Sequence, residues 1–191
     1  DLDHQLEQLR GHSLWSLDLE KVNKPVTGHS WVNELQIRRR WPDRIELQIA
    51  PKEVKFLFVG KEGQLFPILQ DGTFLAPVPM ENLPDVVLLR GDAFTKNKDL
   101  LTKALHALDD IPNEGSFSKK SISEIRYDAK SGFWATLMKD GVRVKLGEDQ
   151  IVLKADRVSQ VLDYLEAHSF DARVIDANLT KKVLVRLRKG P

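Results

Sequence analysis

The chain contains no cysteine, which excludes disulfide bonds, thiolate metal sites and a cysteine nucleophile. It also lacks any stretch approaching the roughly 18 to 20 apolar residues that a membrane-spanning helix needs. An excess of one charge sign is absent too, because 29 basic residues nearly balance 28 acidic ones. The net charge therefore gives no general attraction to nucleic acid or anionic lipid, and any such attraction must be local.

The composition is that of a folded protein, since 41% of its 191 residues are hydrophobic, and the length suits one larger or two small domains. Pro51 lies at the predicted junction, because proline removes a ladder donor and closes the strand before it. We therefore predict domains at residues 1–51 and 52–191. The chain begins without methionine and inside a predicted helix, so we expect it to be part of a longer protein.

The first domain is expected to contain two short helices followed by a hairpin. Leucines at positions 2, 6 and 9 indicate one helix, and apolar residues at 19 and 22 indicate another. Residues 30–49 predict two antiparallel strands, because apolar and polar residues alternate in both arms. Pro42 and Asp43 supply the turn between the arms.

The second domain is predicted to consist of strands with two amphipathic helices. The helices are expected at Lys98 to Asp109, with Asn97 as the N-cap, and at about 155 to 168. The predicted strands are 54–59, 65–69, 73–78, 86–89, 122–128, 132–138, 142–146, 172–178 and 182–188. The fold class is thus α+β, with a mainly antiparallel second domain.

No constellation of residues predicts catalysis. The five histidines are scattered, with no pair at metal-ligand spacing. Asp109 and Asp110 are adjacent on a helix, so their carboxylates diverge rather than converge. Phosphate-binding glycine loops and nucleophile motifs are missing from the sequence. We therefore predict no enzyme activity, no metal and no cofactor.

One basic cluster has the composition of a nucleic-acid stripe. It consists of Arg38, Arg39, Arg40 and Trp41. On a strand, however, alternate arginines face opposite sides, and acidic residues lie close by at positions 34, 43 and 46. We therefore favour a structural role over nucleic-acid binding.

The last segment predicts a half-buried strand. Its two faces carry Val183, Val185 and Leu187 on one side and Lys182, Leu184, Arg186 and Arg188 on the other. As the last strand of the sequence, it is expected at a sheet edge, where free N–H and C=O groups can accept a strand from a partner. Basic residues also protect edges from aggregation, so the residues alone leave both interpretations open.

Four stretches, in the same order along the chain, resemble the motifs of one family. Residues 31–42 are similar to "W-V … V-R-R-x-W-P" and residues 71–74 to "D-x-x-G-x-V/L-F". Residues 83–91 are similar to "L-P-x-L-x-G", and 132–147 to "G-W-x-L-x-L-x-N-G-x-x-V-x-L-G". Together they resemble the FtsQ/DivIB cell-division proteins of bacteria.

The resemblance implies a POTRA domain followed by a β-rich domain, both on the extracytoplasmic, periplasmic face of the inner membrane at the division site. The first POTRA strand has no counterpart in the sequence. It also implies a non-enzymatic divisome scaffold that links early and late division proteins and is anchored by an upstream single helix not present in this chain.

The partners implied by the resemblance are FtsB-like and FtsL-like proteins, bound mainly by strand addition at the C-terminal edge and backed by the preceding helix. The partner-binding residues are then Leu179, Lys182, Val183, Leu184, Val185, Arg186, Leu187 and Arg188. The resemblance alone also implies a second docking site, at Arg38, Arg39, Arg40 and Trp41.

Two departures from the family pattern concern this site. Residues 176–182 replace the pattern "D-L-R-Y-x-x-G" and keep only its Asp, and Glu148 stands where some members have a partner-contacting arginine. A backbone-mediated mode survives these changes, because main-chain hydrogen bonds do not depend on residue type. The alternative function is a POTRA-containing component of outer-membrane biogenesis or secretion.

Overall fold

The computed structural model describes residues 32–41, 44–80 and 83–188. The chain divides into two compact units, Asp1–Glu53 and Val54–Pro191. The two predicted N-terminal helices, the missing first strand and the turn at residues 42–43 lie outside the described residues.

The first unit contains the predicted hairpin. Strand β1 (Val32–Arg40) pairs antiparallel with β2 (Arg44–Pro51), and the pairing closes at Arg40 opposite Arg44. Burial alternates along β1 as the sequence pattern requires, with Leu35 and Ile37 half-buried between exposed polar neighbours. The hairpin prediction is confirmed.

The second unit is built on one mixed sheet of eight strands, in the order β10-β9-β8-β7-β6-β5-β3-β4. Its strands are β3 Val54–Val59, β4 Leu65–Leu69, β5 Val87–Arg90, β6 Ile122–Asp128, β7 Gly132–Leu137, β8 Arg143–Gly147, β9 Ala172–Asp176 and β10 Leu184–Leu187. Among these described strands, four neighbouring pairs are antiparallel and three are parallel. Each parallel pair is joined by a long connection, as parallel strands require.

Helices cover one face of this sheet. They are the short α1 (Ala93–Lys96), α2 (Lys98–Asp109) and α3 (Ile151–Ala167), with a 3₁₀ turn at Lys119–Ser121. The inward strand residues, such as Phe56, Phe133 and Val144, join inward residues of α2 and α3 in one core. The opposite sheet face carries mostly polar and half-buried side chains.

Helix α2 has the bounds that its periodicity predicts. The side chain of Asn97 accepts a hydrogen bond from the N–H of Leu100 at 3.0 Å, so the predicted N-cap is confirmed. Helix α1 was not predicted, because four residues are too few to show a helical period.

Several predictions about elements need correction. Residues 73–78 do not form a regular strand but make only isolated bridges, Leu65 to Val78 and Ile68 to Phe74, because Pro77 has no N–H to donate. Helix α3 begins at Ile151, one turn before the predicted start, since Ile151 is buried in the core. The last two strands are also shorter than predicted, spanning Ala172–Asp176 and Leu184–Leu187.

Candidate functional site

Strand β10 lies at an edge of the eight-stranded sheet. It pairs on one side with β9, with Leu184 opposite Asp176, Val185 opposite Ile175 and Arg186 opposite Val174. Within the described residues, no strand pairs with its other side. The position predicted for the last strand is therefore the position that it occupies.

The direction of each backbone group on β10 follows from the hydrogen bonds at its two ends. The N–H of Arg188 donates to the C=O of Asp171 at 2.8 Å, so it points towards β9. Because successive N–H groups on a strand point to opposite sides, those of Val185 and Leu187 point outward. The N–H of Ala177 donates to the C=O of Lys145 on β8. The N–H of the preceding residue, Asp176, therefore points the other way, towards Leu184 on β10, which agrees with this assignment.

The side chains of β10 divide between the two faces of the sheet. Val183 and Val185 are half-buried and pack against the core on the helical side. Leu184 is 50% exposed on the other side, which it shares with the exposed Arg186. The alternation predicted from the sequence holds, although Leu187 is also about half exposed at 49%.

An open groove of about 610 Å³ separates β10 from α3. Its apolar lining comes from Val161 and Leu165 on the helix and from Val183, Val185 and Leu187 on or next to the strand. Three cations also line it, Arg157, Lys181 and Lys182. The groove thus offers apolar surface and positive charge directly beside the open backbone edge.

The connection between β9 and β10 is fixed by polar contacts to α3. The Nζ of Lys154, only 4% exposed, donates to Asn178 Oδ1 at 3.0 Å and to Asp149 Oδ1 at 2.6 Å. Arg157 Nη1 donates to the C=O of Thr180 at 3.1 Å. These contacts hold the turn that carries the half-buried Leu179, and with it the start of β10.

Gly147 allows Asn178 to take this position. A Cβ at residue 147 would lie 2.0 Å from Asn178 Oδ1, and the φ of Gly147 is +78°. Any other residue would therefore both strain the backbone and displace the amide that Lys154 binds. The hydrogen bond from Lys154 lowers the pKa of the Asp149 carboxyl below its ordinary value.

Glu148 is engaged by two groups of its own chain. Tyr127 Oη donates to Oε1 at 2.7 Å and Lys103 Nζ donates to Oε2 at 3.0 Å. The hydrogen bond from Tyr127, followed by that from Lys103, lowers the pKa of Glu148, while the bond to Glu148 raises the pKa of Tyr127. The resemblance implies a partner-contacting arginine at this position. This chain instead has a carboxylate whose two oxygens already accept hydrogen bonds from its own residues.

The basic cluster of the first unit is not a continuous stripe. Arg40 Nε lies 2.8 Å from Glu46 Oε2, and that hydrogen bond lowers the pKa of Glu46. Arg38 Nη2 donates to Gln36 Oε1 at 3.2 Å. Trp41 is 85% exposed at the tip of the hairpin.

The described residues show no other site with evident chemistry. Within residues 32–41, 44–80 and 83–188, no three His, Asp or Glu side chains lie close enough to hold a metal ion. Asp109 contacts the cations Lys55 and Lys119 at 3.3 and 3.9 Å. None of the described helices is long and apolar enough to cross a membrane.

Two family models match the chain. One, described as "Cell division protein FtsQ/DivIB, C-terminal", matches residues 57–178, and another, "POTRA domain, FtsQ-type", matches residues 1–50. The chain belongs to the FtsQ/DivIB family. The resemblance drawn from its motifs is thereby confirmed, and membership supports a role in cell division.

Individual FtsQ proteins are similar along most of the chain. "Cell division protein FtsQ" of Syntrophotalea carbinolica is 26% identical over 187 residues, which cover 94% of this chain and 66% of the relative. The FtsQ of Geobacter sp. strain M21 is 28% identical over 192 residues, with 92% and 66% covered. The chain thus spans slightly less than two thirds of the length of these relatives.

The motifs did not reveal Lys154 or the groove. A signal for Lys154 exists, because it lies three residues after Ile151 and four before Val158, on the apolar face of α3. A lysine there needs a partner inside the fold. The groove had no such signal, since it arises only when β10 and α3 come together.

Proposed function

We propose that this chain is the extracytoplasmic part of a non-enzymatic divisome scaffold, located on the periplasmic face of the inner membrane at the division site. It links early and late division proteins and relays their assembly to septal wall synthesis. FtsB-like and FtsL-like partners bind it mainly by adding a strand to β10. The observation that carries this proposal is that β10, in a member of the FtsQ/DivIB family, is an edge strand that no other described strand covers.

The backbone of β10 suits strand addition. The N–H groups of Val185 and Leu187 point away from β9, and they lie next to each other on the outward side of the strand. An incoming strand can satisfy both, and main-chain hydrogen bonds then provide affinity without specific side chains. This mode tolerates the departures from the family pattern at residues 177–182.

The side chains around β10 favour a partner with acidic residues. The groove carries Arg157, Lys181 and Lys182, while Arg186 is exposed on the other face. Cations of this kind steer and orient an acidic partner. The partner-binding set accordingly remains Leu179, Lys182, Val183, Leu184, Val185, Arg186, Leu187 and Arg188.

A second copy of the chain fits this edge poorly. If two β10 strands paired antiparallel about Val185, Lys182 of one would face Arg188 of the other. Like charges directly opposite each other destabilise a strand pair. The basic edge thus discourages self-association while it leaves an acidic partner free to bind.

The hairpin tip is proposed as a second docking site, for a different division protein. Its residues are Arg38, Arg39, Arg40 and Trp41; all four are exposed, and Trp41 is 85% exposed. Of the two proposed sites, β10 has the better support, because it combines backbone groups, a groove and charge. No observation in the described residues favours the biogenesis alternative over the division role.

The decisive variant is Val185→Pro. Proline there removes an outward N–H, which the fold does not use, and so should hinder strand addition while leaving β9 pairing intact. Calorimetry with the extracytoplasmic FtsB/FtsL-type complex of the same cell is expected to show binding weakened at least tenfold. Leu184→Pro is the matched control, since it removes an inward N–H and should lower the thermal stability instead.

The outcomes separate the possibilities. If folded Val185→Pro binds as tightly as the wild type, strand addition at β10 is wrong and the partner site lies elsewhere on the second unit. If the wild type itself does not bind, the divisome assignment loses its partner and the biogenesis alternative gains. Circular dichroism on each variant checks that the fold is intact.

A further inference from the structure

The open face of the sheet beside β10 carries two rows of side chains that differ in charge. Cross-strand pairing places Arg143, Val174 and Arg186 in one row, and Lys145, Asp176 and Leu184 in the other. We call them the arginine row and the leucine row. They run side by side across three strands and end at the open edge, separated by about 6.5 Å along the strand.

The leucine row is electrically neutral. Lys145 Nζ lies 3.2 Å from Asp176 Oδ2, and both side chains are about one quarter exposed, at 23% and 27%. The row ends at Leu184, which is half exposed on the open face. At the edge of the sheet this row therefore presents an apolar side chain.

The arginine row keeps its positive charge. Arg143 and Arg186 are exposed and flank the half-buried Val174. Neither forms an ion pair with another residue of the described part of the chain. Their Cα atoms are roughly 10 Å apart, twice the spacing of neighbouring strands. The row thus ends at the open edge with uncompensated charge.

On the basis of the proposed function, we propose that Arg186 sets the register of the incoming strand. It does so by pairing with an acidic residue directly opposite, while the partner residue two positions away, opposite Leu184, is apolar. Arg186 directs its N–H towards β9, so it occupies a non-hydrogen-bonded position relative to an added strand. Opposite side chains are closest at such positions, with Cα atoms about 4.5 Å apart.

Slipped registers lose this match. A slip of one residue turns the acidic side chain to the groove face, opposite the apolar Val185 or Leu187 and away from Arg186. A slip of two residues places it opposite Leu184, or opposite Arg188 in the other direction. The guanidinium of Arg188 is held by a hydrogen bond to the C=O of Asp140, so it is less free than that of Arg186 to turn towards a partner side chain.

The test is charge reversal, Arg186→Glu, measured by calorimetry with the extracytoplasmic FtsB/FtsL-type complex of the same cell. Attraction becomes repulsion at one register position, so the Kd is expected to rise about tenfold. Arg186→Gln should raise it two- to fivefold, and it provides a milder variant should the reversal fail to fold. Lys130→Glu is the matched control, because the same charge change lies in the β6–β7 turn and should leave the Kd unchanged.

A compensating change locates the partner residue. Each acidic residue of the partner's strand is changed to lysine in turn, and one such change is expected to restore tight binding to Arg186→Glu. If Arg186→Glu binds like the wild type while Val185→Pro is weak, the register role is wrong and strand addition stands. If neither variant is weakened, strand addition at β10 is wrong and the register role fails with it. If the wild type itself does not bind, the proposed function fails.

Discussion

The two edges of the eight-stranded sheet differ in whether other parts of the described chain hydrogen-bond to them. At the β4 edge, residues 73–78 run alongside the strand, with the N–H of Leu75 donating to Pro67 and that of Val78 donating to Leu65, at 2.8 and 3.1 Å. Pro67 itself offers no N–H to a partner. At the β10 edge, the described residues provide no such cover. Within the part of the chain that the structure describes, one edge is closed by the chain's own backbone and the other has no strand beside it.

This difference indicates where the molecule can recruit a partner. An uncovered edge is a liability in a protein that has no use for it, because it can pair with any extended chain. The β4 edge shows that this fold has the means to cover a strand. An edge strand β10 that carries basic residues and borders a groove therefore supports the proposed binding of a partner there.

Gly147→Ala is expected to lower stability more than any other variant considered, and Gly63→Ala is its matched comparison. The two glycines have nearly the same φ, +78° and +79°. A Cβ added at residue 147 would collide with Asn178, whereas a Cβ added at residue 63 would have no atom within 4 Å. Gly63→Ala should cost about 1 to 2 kcal/mol for the left-handed backbone. Gly147→Ala should cost about 2 kcal/mol more, because it also displaces the amide that binds the buried Lys154.

Urea unfolding of both variants measures this difference. Equal losses would mean that Asn178 moves aside freely and that the contacts of Lys154 do not hold the β9–β10 turn. Gly63→Ala, in the β3–β4 turn, serves as the control on the side of the covered edge.

A smaller effect is expected for Phe74→Ala compared with Phe170→Ala. Both phenylalanines are partly exposed, at 37% and 47%, but Phe74 lies over β4 and stacks edge-on against Phe58 at 5.6 Å. Its loss should cost about 1 to 2 kcal/mol and loosen the cover of β4. Phe170 lines the groove beside β10, so its loss should leave the β4 edge closed.

Light scattering at rising protein concentration tests the consequence for association. Phe74→Ala should self-associate more readily than the wild type, since an uncovered β4 has few charged residues to prevent pairing. If Phe170→Ala associates to the same extent, the cover at residues 73–78 is not what keeps that edge closed.

The smallest expected effect is on stability at acid pH, and it concerns Glu148, which bonds to β6 and α2 rather than to either edge strand. The hydrogen bonds from Tyr127 and Lys103 lower the pKa of Glu148 from its ordinary value of 4.5. The stability they contribute is therefore complete above the unfolded pKa and is lost as the pH falls through the lower folded pKa. Unfolding measured between pH 6 and pH 2 should show a shallower decline in Glu148→Gln than in the wild type.

Lys103→Met separates the contribution of Lys103 to the acid sensitivity from that of Tyr127. It removes one donor and leaves Tyr127 in place, so its decline should lie between those of the wild type and Glu148→Gln. An unchanged decline in both variants would show that the network around Glu148 contributes nothing to acid sensitivity.

Local patterns were sufficient to predict most elements of the second unit. Helix α2 and its cap at Asn97 follow from a clear helical period, and β3 and β6 have the predicted bounds. The strand predicted at 73–78 was wrong because its alternation is real but its prolines prevent a regular ladder. Periodicity describes one segment at a time. It does not show whether that segment can form a regular hydrogen-bonded ladder with the neighbouring strand.

The site depended on contacts between distant segments. That β10 lies at an edge was expected from its position as the last strand, and residues 73–78 were expected to return alongside 65–69. That this return closes the opposite edge of the same eight-stranded sheet was not predicted. Lys154 meets Asn178 across 24 residues, and the arginine row brings together Arg143, Val174 and Arg186 from three separate strands. No local pattern contains such information, because it is set by the packing of the whole sheet.

The most direct test of the central claim is amide hydrogen exchange, residue by residue, with and without the extracytoplasmic FtsB/FtsL-type complex. Strand addition predicts that the outward amides of Val185 and Leu187 gain strong protection on binding, whereas the amides of β4, Leu65–Leu69, do not change. Binding without any gain at Val185 and Leu187, or with the gain at β4 instead, would contradict the account.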